Sequence, residues 1–262
     1  METGLQVREV SVMGNSSLFP EDAGPPFGAE DLKRLSHVLT DSMAGTSGID
    51  TPAALCRACV DLLDVTGASV SLGGDNDTQS LWWSSDPVAG RLAEAQYTLG
   101  DGPCRSALAL AAPVLAPDLT SGTDARRWPV FAQQAVDLGV RAVFSIPLGS
   151  AGLAMGTLDL YRDRPGPLSE RDRSFAFPAA DAITTALLAL QAQESPSGEA
   201  AWLSSAESDH DEVHQATGMI MVFLDLDAPQ ALARLRAHAF AQGQSITEAA
   251  RDVLAGRVRF DD

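Results

Sequence analysis

Few side chains in this 262-residue chain could make or break bonds: it has three cysteines and four histidines. Cys56-Arg-Ala-Cys59 has the spacing of a metal or redox pair, but a zinc site needs four ligands, usually two such pairs or added histidines. No second pair follows, so both thiols read as small buried residues. Cys104 comes after Gly102-Pro103 at the start of a short helix, where the N-terminal dipole favours a thiolate. His210-Asp-Glu-Val-His214 resembles a zinc-protease helix, yet its glutamate is one place late for that arrangement and a third ligand is missing. The pattern points to a protein that is not an enzyme and carries no cofactor.

Composition narrows the class further. The formal charge of −17 opposes bulk nucleic-acid binding, which needs Lys and Arg to neutralise phosphates. Lys33 is the single lysine. An apolar fraction of 45% is ordinary for a globular protein. No run approaches the roughly 18 apolar residues of a membrane span, and the N-terminus lacks a secretory pattern. Three cysteines make no disulfide framework. These features lead to the expectation of a cytoplasmic protein without a membrane partner.

The elements that must position these residues fall into three stretches. Residues 1–28, with Gly24-Pro25-Pro26, read as a flexible arm. From 29 to 193 the pattern mixes helices and strands. Leu32, Leu35 and Met43 have helical spacing, and a second helix follows Pro52, with Leu55, Cys59, Leu62 and Leu63 on one face. Ala68-Ser-Val-Ser-Leu72 alternates with period two, and Thr78 to Trp83 completes a hairpin. Helices are expected at Pro87–Tyr97, Cys104–Ala111, Trp128–Leu138 and Leu168–Gln193. Strands are expected at Pro113–Ala116, Val143–Leu148 and Met155–Tyr161. Paired strands with helices between the pairs imply an α+β fold with an antiparallel sheet flanked by helices. A linker spans 194–204, around Ser195-Pro-Ser-Gly-Glu199.

Residues 205–262 read as a small three-helix module. Val213, Ala216, Ile220 and Phe223 make one helical stripe, and Leu232, Leu235 and Ala239 another. Asp227 is an N-cap with Pro229 in the first turn, and Ser245-Ile-Thr-Glu248 is a capping box. Helices this short must pack on each other and on the end of the long helix before them.

Two resemblances follow from these residues. Leu99-Gly-Asp-Gly-Pro-Cys104, Pro113-Val-Leu-Ala-Pro-Asp118, Ala142-Val-Phe-Ser-Ile-Pro-Leu148 and Gly156-Thr-Leu-Asp-Leu-Tyr161 resemble the GAF family of sensory domains. That implies a six-stranded antiparallel sheet with a pocket for a small-molecule ligand. Trp82, Cys104, Asp118, Trp128 and Phe144 are its candidate lining residues. Some GAF-fold proteins reduce free methionine sulfoxide through cysteine, which makes Cys104 the centre of an enzymatic alternative.

Ala216-Thr-Gly-Met-Ile-Met221 and Ala231-Leu-Ala-Arg-Leu-Arg236, with a partial third match at Ala249-Ala-Arg-Asp-Val253, resemble the ANTAR domain. This implies a homodimer that binds RNA as paired hairpin loops and acts by antitermination, switched by the sensor. The candidate RNA contacts are Thr217, Arg234, Arg236, His238, Gln244 and Arg251. The family often has Lys at Thr217, Tyr at His238 and an Asn-Arg pair at Gly243-Gln244, groups suited to phosphate contact and stacking. Arg257 and Arg259 are the other cations of the module. A second alternative is therefore a protein-interaction regulator that keeps the fold without RNA. A DNA-reading helix is disfavoured because no helix offers a row of cations.

Overall fold

The computed structural model describes Lys33, His37 and residues 51–73, 79–150, 152–193 and 201–260. The expected N-terminal arm and the proline-containing linker segment lie outside them. So does the expected first helix, apart from Lys33 and His37, which are helical.

Alternating strands build the sheet. Strands β1 (Gly67–Gly73), β2 (Gln79–Ser84), β3 (Val114–Ala116), β4 (Ala142–Ser150) and β5 (Leu153–Arg162) lie in the order β2-β1-β5-β4-β3. Every pairing is antiparallel. The described residues thus hold five strands, one fewer than the resemblance implies.

Successive strand residues point to opposite faces. Ala68, Val70, Leu72, Phe144, Ile146, Leu148, Leu158 and Leu160 enter one core beneath helices α1 (Thr51–Leu62) and α6 (Glu170–Gln193). Cys56 and Cys59 lie fully buried in that core, and burial pushes the Cys59 thiol up to about 12. A low-dielectric surrounding disfavours the thiolate that metal binding and redox chemistry use.

The opposite face is roofed by α2 (Pro87–Leu99), α3 (Pro103–Leu110) and α5 (Pro129–Asp137). Asp86 caps α2 by accepting hydrogen bonds from Val88 N at 2.8 Å and Ala89 N at 3.0 Å, and Gly100 ends it with φ of 66°. The helix expected from Trp128 is divided. A short α4 (Gly122–Arg127) ends at Trp128, whose non-helical backbone separates it from α5. Pro129 is the reason: proline disfavours α geometry in the preceding residue.

The C-terminal module comprises α7 (Ala201–Leu224), α8 (Ala228–Gln242) and α9 (Ile246–Leu254). Helix α7 begins inside the expected linker and runs for 24 residues, so the first helix is not short. Both expected caps are present as full capping boxes, Asp227 with Gln230 and Ser245 with Glu248. Val213, Ala216, Ile220, Leu232, Leu235 and Ala239 form the expected core with Ile246, Ala249, Ala250 and Val253. Phe223 departs from its stripe and is 64% exposed. Unexpectedly, Tyr97 from α2 of the sheet domain is part of this same core.

Candidate functional site

The sheet face beneath α2 and α3 carries a row of polar side chains where a core would normally be apolar. Ser69 and Ser71 of β1, Ser145 of β4, and Thr157 and Asp159 of β5 are all buried. Register brings them together, since Asp159 pairs with Ser69 on one side and Ser145 on the other, and Thr157 pairs with Ser71. Cys104 of α3 closes the chamber, its Sγ 3.0 Å from Thr157 Oγ1. Thr157 in turn donates to Asp159 Oδ2 at 3.2 Å. Cys104 N donates to Gln96 Oε1 of α2 at 2.7 Å. Gly102 has φ of 134°, and a Cβ there would come within 2.7 Å of the Gln96 side chain. The loop before α3 and the last turn of α2 are therefore one packed unit.

This chamber is electrostatically loaded. Burial pushes the Asp159 carboxyl up to about 6, against the Ser145, Cys104 and Thr157 side chains, which favour the charged form. Ser145 lies near enough to polarise the carboxyl but outside hydrogen-bond geometry. Ser71 Oγ, Ser145 Oγ and Asp159 Oδ1 have no hydrogen-bond partner among the described residues. Unsatisfied buried polar atoms are costly and rare, and they mark places that a polar guest or proton would stabilise.

The five expected pocket residues do not converge. Cys104 alone reaches the chamber. Trp128 shares its side of the sheet and donates through Nε1 to Ser106 Oγ at 3.3 Å, but it belongs to the apolar packing around Phe131 and Leu119. Phe144 points to the opposite face, in the core under α1 and α6. Trp82, on edge strand β2, packs against that same opposite core. Asp118 organises a surface turn, accepting from Thr120 N at 2.8 Å and Ser121 Oγ at 2.7 Å. Asp159, Thr157, Ser145 and Ser71 were missed. The signal for them was a polar residue at every second place of otherwise apolar strands.

The candidate RNA residues are also dispersed. Thr217 Oγ1 is turned back to Val213 O at 2.7 Å. Gln244 Nε2 donates to Asp252 Oδ2 at 3.1 Å. His238 packs edge-on against Phe260, with centroids 5.3 Å apart. Arg251 pairs with Glu212 at 2.6 Å. Arg234 is exposed on α8. Arg236 is half-buried against α2: its Nε donates to Tyr97 O at 3.2 Å, and its guanidinium lies 5.8 Å from the Tyr97 ring centroid.

Two further hydrogen bonds join α2 to the module near Arg236. Ile246 N, at the head of α9, donates to Thr98 Oγ1 at 3.1 Å. Thr247 Oγ1 donates to Glu94 Oε1 at 3.3 Å. Three consecutive residues of α2 thus serve two sites: Gln96 holds the chamber, while Tyr97 and Thr98 hold the module.

A buried polar chamber thus lies under a helical roof, and a capped helical module is seated on that roof. A family model described as the GAF domain matches residues 51–188, more than half of the chain, and one described as the ANTAR domain matches residues 201–254. The chain belongs to the GAF-ANTAR regulators, proteins that couple a sensory domain to an RNA-binding one. A search of curated proteins found no match.

Among solved structures, the chain is similar to the GAF domain of a phosphoenolpyruvate-protein phosphotransferase from Coxiella burnetii. Identity is 15% and the TM-score 0.49, over 62% of this chain and 95% of that one. The corresponding Acinetobacter domain has 14% identity and a TM-score of 0.48, over 65% and 99%. A free methionine-R-sulfoxide reductase from Neisseria meningitidis, solved with its substrate, has 17% identity and a TM-score of 0.48, over 66% and 99%. No helix among the described residues is long and apolar enough to cross a membrane.

Proposed function

We propose that this protein is a cytoplasmic, non-enzymatic regulator that prevents transcription termination by binding paired RNA hairpin loops as a homodimer. A small molecule or proton in the polar chamber of the sensor controls it. The observation that carries this reading is the bridge along α2 from Gln96, which holds Cys104, to Tyr97 and Thr98, which hold the output module. A signal acts on an equilibrium only through unequal affinity for two states. Movement of the chamber roof would change the module's seat directly. Val222 is 82% and Phe223 64% exposed beside a groove lined by Met219, Leu224, Val258 and Phe260, an apolar surface that supports association of two copies.

The reductase alternative gains little from the geometry. Cys104 lies across the sheet from Cys56 and Cys59, so thiol exchange among the three would require the sheet to open.

The test is binding of the full-length protein to a two-hairpin RNA across a salt series. We expect affinity to fall steeply with salt and to drop at least tenfold in Arg234→Glu. Absence of binding at the lowest salt, by the wild type and by variants loosened at the α2 contact alike, would overturn the RNA reading. It would favour the protein-interaction alternative.

A further inference from the structure

The surface of α2 that faces the output module presents the two chemical features of a nucleotide. Tyr97 places an aromatic ring beside the Arg236 guanidinium, 5.8 Å from its carbon. Glu94 brings a carboxyl to the head of α9, where Thr247 Oγ1 donates to it at 3.3 Å; burial pushes this carboxyl up, against the Thr247 and Ser245 side chains, which favour its charge. A helix N-terminus binds anions through its free N–H groups and its dipole. Here the anion is supplied by the protein itself. Ile246 N, the first amide of that helix, is occupied by Thr98 Oγ1.

Arg105 of α3 lies near Arg236: its own burial, and secondly the Arg236 charge, push its guanidinium down to about 10. The Arg236 guanidinium itself sits beside Gly100. A Cβ at Gly100 would lie 3.0 Å from Arg236 Nη1. A groove of about 390 Å³ opens next to it, lined by Thr98, Gly100, Val130, Ala233, Arg236 and Phe240. At the seam the module contributes the Arg236 guanidinium and the head of α9, and the facing helix α2 offers ring, carboxylate and hydroxyl.

We propose that the last two turns of α2 and RNA compete for the same face of the output module, formed by Arg236 and the head of α9. The inference rests on the RNA-binding reading above. The docked arrangement is the RNA-excluding state, with Tyr97 standing in for a base and Glu94 for a phosphate. Release from α2 frees Arg236, Thr247 and the first amides of α9 together. A protein whose competent state is a small fraction of the population binds with an affinity reduced by that fraction. Loosening the α2 contact therefore raises affinity without touching any residue that meets RNA.

The experiment uses the full-length chain and a two-hairpin RNA, with a plain duplex of equal length as control. Glu94→Gln, Thr98→Val and their combination are near-isosteric and leave Arg236 and α9 intact, and a cooperative melt near that of wild type verifies each fold. We expect the double variant to bind the hairpin RNA at least tenfold more tightly than wild type, with each single variant between them. Equal, measurable binding by wild type and double variant overturns the competition and leaves the RNA reading standing. No hairpin-specific binding by either protein overturns both.

Discussion

Replacing Asp159 by Asn isolates the electrostatics of the chamber. Burial raises the Asp159 carboxyl from 3.8 to about 6, so the folded protein holds a proton there that the unfolded chain releases earlier. Between roughly pH 4 and pH 6 the folded state binds more protons, and stability falls as pH rises. Below that window both states are protonated and the contribution is complete; above it, the folded state carries a buried charge and the contribution is gone. The gap is worth about 3 kcal/mol, at 1.36 kcal/mol for each tenfold change in proton affinity. Asn is neutral throughout, and its amide oxygen can still accept from Thr157. Asp159→Asn should therefore gain stability on wild type as pH rises, by about 3 kcal/mol between pH 4 and pH 7.5. Urea denaturation of both proteins at half-unit pH steps measures it. The comparison cancels groups that act in the opposite direction, such as Asp64, held low by its hydrogen bond from Arg164, and Asp118, held low by the Thr120 and Ser121 hydroxyls. A difference that stays flat or shrinks with rising pH would refute the assignment.

Two further outcomes test the frame around the sites. Ser245→Ala removes the acceptor for Glu248 N at 3.1 Å and should cost about 1 kcal/mol by thermal denaturation, with loss of protection at the head of α9 in hydrogen exchange. Arg162 and Asp172 are 5% and 3% exposed and meet at 3.1 Å. Arg162→Leu removes the ion-pair partner of the buried carboxylate and should cost about 3–5 kcal/mol; adding Asp172→Leu should recover only part of it, because the Asp64 and Pro167 carbonyls that Arg162 also serves stay unpaired.

Much of the molecule was readable from residue order. The capping boxes at Asp227 and Ser245 depend on side chains within three residues of each other, so local sequence contained the whole interaction. The stripes of Val213, Ala216 and Ile220, and of Leu232, Leu235 and Ala239, found their core because a helix face is set by spacing. The α+β class followed from strand pairs and from period-two alternation. The divided helix at Trp128 was also legible in principle, because Pro129 acts on its neighbour.

The sites were less legible, and the reason is physical. Alternation in β1 and β5 determines that Ser69, Ser71, Thr157 and Asp159 share one face; it does not say whether water or a helix covers that face. In an antiparallel sheet the polar side usually meets solvent. Only the placement of α2 and α3 turned that side into a buried chamber, raised Asp159 and put Cys104 in contact with Thr157. The same alternation could not bring Phe144 and Cys104 to one side, since the strand fixes Phe144 in the opposite core. For the module, sequence determined a compact three-helix shape and an acidic surface holding five arginines. Which arginine is covered was decided by tertiary structure. Arg236 and Tyr97 lie 139 residues apart in the chain, and no local pattern encodes a contact made when one domain settles on another.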